Sequence, residues 1–584
     1  MAIKGLEPFI KKNPKEKIAK DINIRDEIKG WRKKHNTVPT IVIYLNHFIQ
    51  ILANMDKGSN DLILGGRYAI YNEKVKCFFN ELTACGANLV FFCRPFLNDP
   101  KENLISKAFA LVERKNLTKF RKIKAEIANF FFIWHLDKRF LYNLVNICAD
   151  YGPVYTQLFG FYAKITEYAS DPSNHVLAMI QHDTDFLLCD SNYQYWSLAD
   201  LDFERLTTKK YCRDTLYRRL RLTTPECQLV AGISRVRSKG YITFLREKIQ
   251  IRGKDNEIAF FKWAHYVKNL KIGSNGWNAG HLLQIIYDIY GNKYDCYEDN
   301  LEVLQQELSR YRQNENELDK VERNSYDFVK FCSENLYFAY GLIMEDVTTN
   351  QALAYIDLNK EDSLRYVDLA IAILLKQCGI LLKDREIEAR PQTRMIKIKR
   401  QIDENDKQRL GFEAKIIYPP MPLPSLENLI MREDVSSFDE SRWSLFGWIL
   451  ELNEECISAI KSSIDSKYIR AVLFTLRLLR KHSFITIDEA EVILLTESDG
   501  QSKNRAAVFL PNSFRVKGSW IHTAHKYTVA FETVCHCLEI CGLRKETDLI
   551  QFDAFEFHEN MHQAEQSPND FTGNLKQIQN IRLF

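Results

Sequence analysis

Asp183 and Asp185, one residue apart in IQHDTDFLL, directly follow an apolar run, where a strand would deliver them to the edge of a sheet. Two carboxylates in that position suit a divalent cation, a phosphate-facing site or the cap of a turn. A second pattern, HENMH, sets His558 and His562 one helical turn apart with Glu559 between them, the arrangement of a zinc hydrolase. Its surroundings, FHENMHQAEQSPND, are polar, and few residues follow to supply a third ligand. The plainer expectation is a chance match on a surface helix or turn. Cys535, His536, Cys537 and Cys541, with His522 and His525 upstream, hold zinc-ligand chemistry. Zinc ribbons and fingers, however, space their pairs two to four residues apart on a turn. TVAFETVCHCLEICGL therefore reads as a buried helix with Cys537 and Cys541 on one face.

Two basic stretches complete the set. ERKNLTKFRKIK (113–124) carries Lys119, Arg121 and Lys122, and KKYCRDTLYRRLRL (209–222) interleaves Tyr211 and Tyr217 with Arg218, Arg219 and Arg221. Cations neutralise phosphates and tyrosines stack on unpaired bases, so the combination suits single-stranded RNA. A solvated helix face beside a core-facing aromatic explains either stretch alone.

Positioning any of these residues requires a scaffold, and three runs supply one. TIVIYL (40–45), NLVFFC (88–93) and HVLAMI (175–180) are short and apolar and are separated by helical periodicity, the pattern of buried parallel strands. Ligands of such sheets sit at the carboxyl ends of the strands. That singles out Asn46, Cys93, and Asp183 with Asp185. The expected fold is therefore an α/β N-terminal domain with a mostly parallel central sheet, followed by mainly helical middle and C-terminal regions.

A chain of 584 residues is too long for one core. The N-terminal domain is expected over 1–254 and a mainly helical middle region over 255–415. IIYPPMPLPS supplies a proline-rich linker at 416–425, ahead of a helical C-terminal domain over 426–584. In that last part KYIRAVLFTLRLLRK reads as a helix, and Thr486 with Glu489 as a capping box that opens another. RMIKIKRQ (394–401) alternates like an edge strand. A balance of 46% hydrophobic and 27% charged residues belongs to a folding globular chain, and a net charge of +4 is too mild for a dedicated nucleic-acid binder. The opening MAIKGLEPFIKKNPKEK lacks a signal peptide's apolar stretch, and no run is long enough for a membrane span. Fourteen scattered cysteines suit reduced thiols. The expected place is the cytoplasm, with the nucleus as the alternative, and no membrane association.

MAIKGLEPFI, TIVIYLNHFI, NLVFFCRP and IQHDTDFLL, in that order and spacing, resemble the PIN-like nuclease domain of the flap-endonuclease and XPG superfamily over roughly the first 235 residues. Within it the chain looks closest to asteroid-type proteins and the fungal maintenance-of-killer-toxin regulator. The resemblance implies two divalent metals held by a set of carboxylates. The family's acids fall here on Asn46, Cys93, Phe159, Phe161, Asp183, Asp185 and Ser234, so only the two aspartates keep a charge. Two carboxylates cannot hold two magnesium ions at close range. Asp190, Asp200, Asp202 and Glu204 are near enough in sequence to be considered for a rebuilt site. SRVRSKGYITF also lacks the closely spaced glycines of the family's DNA-backbone cradle. The expectation is a catalytically inactive adaptor in messenger-RNA regulation, with no cofactor, that binds single-stranded RNA. The resemblance also implies an ataxin-2-like partner that bridges to poly(A)-binding protein. The alternatives are an active, divergent structure-specific nuclease and a pure protein-protein scaffold.

Overall fold

A computed structural model describes residues 18–46, 64–94, 137–156, 161–189, 192–235, 256–270, 277–290, 326–343, 361–382, 395–400, 410–499 and 517–566, with a few single residues besides. These fall into two compact units, each discontinuous in sequence, where the sequence alone suggests contiguous spans.

The first unit takes Met1–Phe48, Cys77–Cys93 and Tyr151–Lys320. Its centre is a seven-stranded sheet of β1 (Ala19–Asn23), β2 (Thr40–Tyr44), β3 (Asn88–Cys93), β4 (Val154–Thr156), β5 (Val176–Gln181), β6 (Gln194–Ser197) and β7 (Thr207–Tyr211). The spatial order is β1-β7-β6-β5-β2-β3-β4. The strands β2 to β6 run parallel, with Val42 opposite both Val90 and Met179. The strands β7 and β1 close one side antiparallel. The three apolar runs of the sequence are thus the three adjacent strands β5, β2 and β3, buried along their length but for Asn88 at the start of β3, because both faces are covered. On one face Val42, Tyr44, Val90, Phe92 and Met179 join a core with Phe186, Leu216, Leu229 and Trp263. Elsewhere in the unit Phe48, Phe78, Phe79, Phe91 and Phe203 pack ring to ring. The helix Ile24–His35 that links β1 to β2 is framed by local chemistry. Asn23 accepts from the amides of Arg25 and Asp26 at its start, and Asn36 closes it in the left-handed conformation.

The second unit takes Ile49–Lys76, Arg94–Asp150 and Val321–Phe584. Its axis is the helix Gly518–Ile540, nearly all of it buried. The helices Asp137–Ala149, Tyr337–Ile343, Glu361–Leu381, Asp439–Leu450, Lys467–Lys481 and Ala554–Gln566 pack around it. The helix expected from KYIRAVLFTLRLLRK is present, with Ser466 as its cap. Thr486 and Glu489 exchange the reciprocal hydrogen bonds of a capping box. Met395–Arg400 is a strand, β8, paired antiparallel with β9 (Leu410–Lys415). The proline stretch after it is neither helix nor strand. It starts pinned to the helix Glu361–Leu381: the Ile417 amide donates to the Leu375 carbonyl at 3.3 Å, and Ile416 is buried. Gly379 permits this approach, because a Cβ there would meet the Ile417 carbonyl at 1.9 Å.

Within this unit, segments from the first quarter of the chain are fastened to its last forty residues. Arg67 grips the Asp553 carboxylate through Nε at 3.3 and 3.1 Å, and both side chains are buried. Asn143 donates to the Ile550 carbonyl at 2.8 Å and to Asn72 Oδ1 at 2.9 Å, and accepts from the Ile550 amide at 3.0 Å. Asn72 donates to the same carbonyl. Asn143→Ala therefore strands a buried amide, and the expected loss of stability is roughly 2–3 kcal/mol, measured as a lower denaturant midpoint.

Candidate functional site

From β2 the chain runs through β3 and β4 on one side, then returns to β5 and β6 on the other. The strand order therefore reverses between β2 and β5, and the carboxyl ends of these strands form the crevice where ligands of open α/β sheets bind. Asn46 lies two residues past β2 and Asp183 two residues past β5, with Cys93 at the end of β3. The three positions singled out from the sequence thus share one edge. Phe159 lies outside the described residues, and Phe161 opens the helix Phe161–Ser170 between β4 and β5. Ser234 sits one residue before the end of the helix Thr224–Arg235.

The chemistry at this edge is that of a closed site. Asp183 and Asp185 have no exposed surface. Asp183 is the cap of the single turn Thr184–Leu187, and its Oδ1 accepts the Asp185 amide at 3.2 Å. Its other oxygen, Oδ2, accepts from the Tyr162 hydroxyl, whose ring packs 5.0 Å from that of Phe186. Tyr162 is the functional residue that the sequence does not mark; its only signal is the aromatic run FGFY, which it shares with Phe159 and Phe161. At the end of β3 the Cys93 sulfur meets Thr156 Oγ1 at 3.4 Å, and burial pushes the thiol up to about 12, so it remains protonated and neutral. Asn46, also buried, adds no charge.

The turn that carries the aspartates is held from outside by its carbonyls. Arg213 Nε donates to Leu187 O at 2.9 Å, Tyr217 OH to the same oxygen at 3.2 Å, and Gln228 Nε2 to Leu188 O at 2.9 Å. Tyr217 therefore works as a strut, and burial raises its hydroxyl well above the ordinary phenol range. Tyr211 is buried and stacked on Tyr195, with centroids 5.3 Å apart. Arg218, Arg219 and Arg221 are exposed. The sequence had grouped these five, but the structure separates the tyrosines, which face the core, from the arginines, which face solvent. Lys119, Arg121 and Lys122 lie outside the described residues. Two of the acids considered for a rebuilt site are engaged in their own turns: Asp200 accepts from Ser197 Oγ at 2.6 Å and pairs with Lys209, while Asp202 caps the amides of Glu204 and Arg205.

The divalent metals that the resemblance implies do not fit this donor set. One carboxylate accepts from a phenol and an amide, and the neighbouring strand ends offer an amide side chain and a neutral thiol. Among the described residues no group of three or more His, Cys, Asp or Glu could hold a metal ion. HENMH lies on the helix Ala554–Gln566, but not at the surface as expected for both histidines. His558 is fully buried with Nε2 at 2.9 Å from the Leu64 carbonyl, and burial lowers its pKa to about 4, whereas His562 is only partly covered. Cys535, His536 and Cys537 diverge along the buried helix. Cys535 donates to Asp548 O, His536 stacks flat on Phe338 at 4.0 Å, and Cys537 accepts from Gln377.

The sequence matches no protein-family profile and no curated protein.

Two outcomes test the closed edge. Tyr162→Phe removes a charged hydrogen bond from a buried carboxylate and should destabilise the fold by roughly 2 kcal/mol, read in denaturant unfolding. In native protein at pH 8, Cys93 should stay unmodified by a thiol reagent while exposed Cys77 reacts, as mapped by mass spectrometry.

Proposed function

We propose that the first unit is a PIN-like domain of the flap-endonuclease and XPG type whose metal site has been closed by side chains, and that the protein is a catalytically inactive adaptor in post-transcriptional control of messenger RNA. The observation that carries this reading is the hydrogen bond from Tyr162 to Asp183 at the strand-order reversal. A metal-dependent phosphodiesterase needs several anionic oxygens open to its cations, which lower the pKa of the attacking water. Here Asp183, one of the two surviving carboxylates, is instead the acceptor of a phenol and the cap of a turn, and the adjacent strand ends carry Asn46 and a protonated Cys93. What such an edge retains is shape. In this reading the domain offers surfaces to single-stranded RNA and to an ataxin-2-like partner, and acts in the cytoplasm.

A second reading, a protein scaffold without RNA contact, is favoured by one observation. Tyr211 and Tyr217, the aromatic half of the RNA-binding pattern, are both committed to the core.

Purified protein is expected to leave flap, hairpin and single-stranded substrates intact in magnesium or manganese. Metal-dependent cleavage that disappears in Asp183→Ala would sink the inactive assignment. Crosslinking that recovers protein but no RNA would select the scaffold.

A further inference from the structure

At the opposite end of the sheet, the helix Ile24–His35 finishes in GWRKKH, and Lys29, Arg32, Lys33, Lys34 and His35 are all exposed. Cations in a last turn are favoured by the helix dipole, which accounts for their sign. It does not account for their crowding, because Lys29 lies three and four residues from Arg32 and Lys33, a spacing at which like charges destabilise a helix. Nor are they neutralised. Among the described residues no ion pair reaches Lys29, Arg32, Lys33 or Lys34; of the helix's two acids, Asp26 and Glu27, Glu27 pairs with Lys210 instead. Asp171, on the turn that leads into β5, is engaged by Ser173.

One of these charges, Arg32, also lies against a neighbouring turn. Gly86 has φ +85°, and a Cβ on it would meet the Arg32 guanidinium at 2.6 Å, so the glycine lets Arg32 lie against the turn before β3. Trp31 donates to Thr37 Oγ1 at 3.3 Å, and its ring lies 4.2 Å from that of His35 at a 30° tilt, which leaves a pair of aromatic rings beside the cations. Exposed, unpaired cations beside aromatic rings suit a nucleic-acid strand. A membrane surface would need several large apolar side chains for insertion, and this edge exposes Val38.

We propose that this amino edge of the sheet, Lys29 and Trp31 to His35, is a docking surface for the phosphodiester backbone of single-stranded RNA. The inference rests on the RNA-binding part of the reading above and names a surface for it away from the closed site.

The test is fluorescence anisotropy of a labelled single-stranded RNA between 50 and 200 mM salt. It compares wild type, a Lys29→Glu/Arg32→Glu/Lys33→Glu/Lys34→Glu variant, the matching Gln variant, and an Arg218→Glu/Arg219→Glu/Arg221→Glu variant, each checked for fold by circular dichroism. Four phosphate contacts contribute roughly 2.8 to the log-log salt slope on a single strand, or a roughly 50-fold fall in affinity across that range. Both variants of the helix should lose this component while the triple-arginine variant keeps it; the Gln variant carries the result if charge reversal unfolds the helix. A wild-type slope retained in both helix variants, or competition by polyglutamate as effective as by unlabelled RNA, overturns the proposal. A wild type with no salt-dependent binding overturns it too and removes the RNA-binding reading with it.

Discussion

A carboxylate without exposed surface must be compensated by its neighbours, because withdrawing it from water costs several kcal/mol even after the protein relaxes. Asp183 is such a group, and the first unit is arranged around its compensation. The Tyr162 hydroxyl comes from the helix that precedes β5, and the Asp185 amide comes from the turn that follows it. That turn is then anchored by Arg213, Tyr217 and Gln228 from two later helices. The same position could be compensated by a cation, and the choice of a phenol is a choice between chemistries. A hydrogen bond fixes the carboxylate permanently, whereas a metal leaves coordination positions for water and substrate.

The central strands were legible because a strand buried on both faces must be apolar through its middle, and TIVIYL, NLVFFC and HVLAMI are, after a polar first residue in each. The flanking strands were not. AKDIN and TTKKY form β1 and β7 at the polar side of the sheet, where cross-strand pairing and not burial defines them. For the site, the placement of Asn46, Cys93 and Asp183 on one edge followed from strand polarity, and the capping role of Asp183 from its residue type. Tyr162 was invisible because its partner lies twenty-one residues away and a phenol in an aromatic run reads as packing. Likewise Tyr211 beside lysines looks like a base-stacking residue until its stack on Tyr195 is seen, and His558 in a polar segment looks exposed until its carbonyl partner is.

The second unit is ruled by polar groups buried from its surface. Arg442, fully buried, donates to the carbonyls of Asn428, Leu429, Arg432, Glu433 and Val435 and to Asp439, so one guanidinium shapes the whole loop ahead of its helix. Gly542, with φ +74°, is required beside it, because a Cβ there would meet Leu429 O at 1.8 Å. Glu497 accepts from both Tyr468 and Tyr527, and burial lifts the Glu539 carboxyl to about 8. Such groups penalise any alternative packing that would leave them unpaired, which makes a helix as thoroughly buried as Gly518–Ile540 compatible with one arrangement.

The fastening of Asn143 to Ile550 has a temporal side. The two residues are 407 positions apart in the chain. A ribosome adding about 5–20 residues per second needs roughly 20–80 s to make the second after the first. For that interval the Asn72 amide and the Arg67 guanidinium lack the acceptors that Ile550 and Asp553 supply, Asn143 has only Asn72 Oδ1, and the helices that carry them must wait in water or in the care of a chaperone. The first unit's sheet, whose strands end at Tyr211, has all of its partners by then. Synthesis therefore separates what the amino-acid order interleaves: the sheet is free to settle early, and the helical unit closes only when its final segment leaves the ribosome.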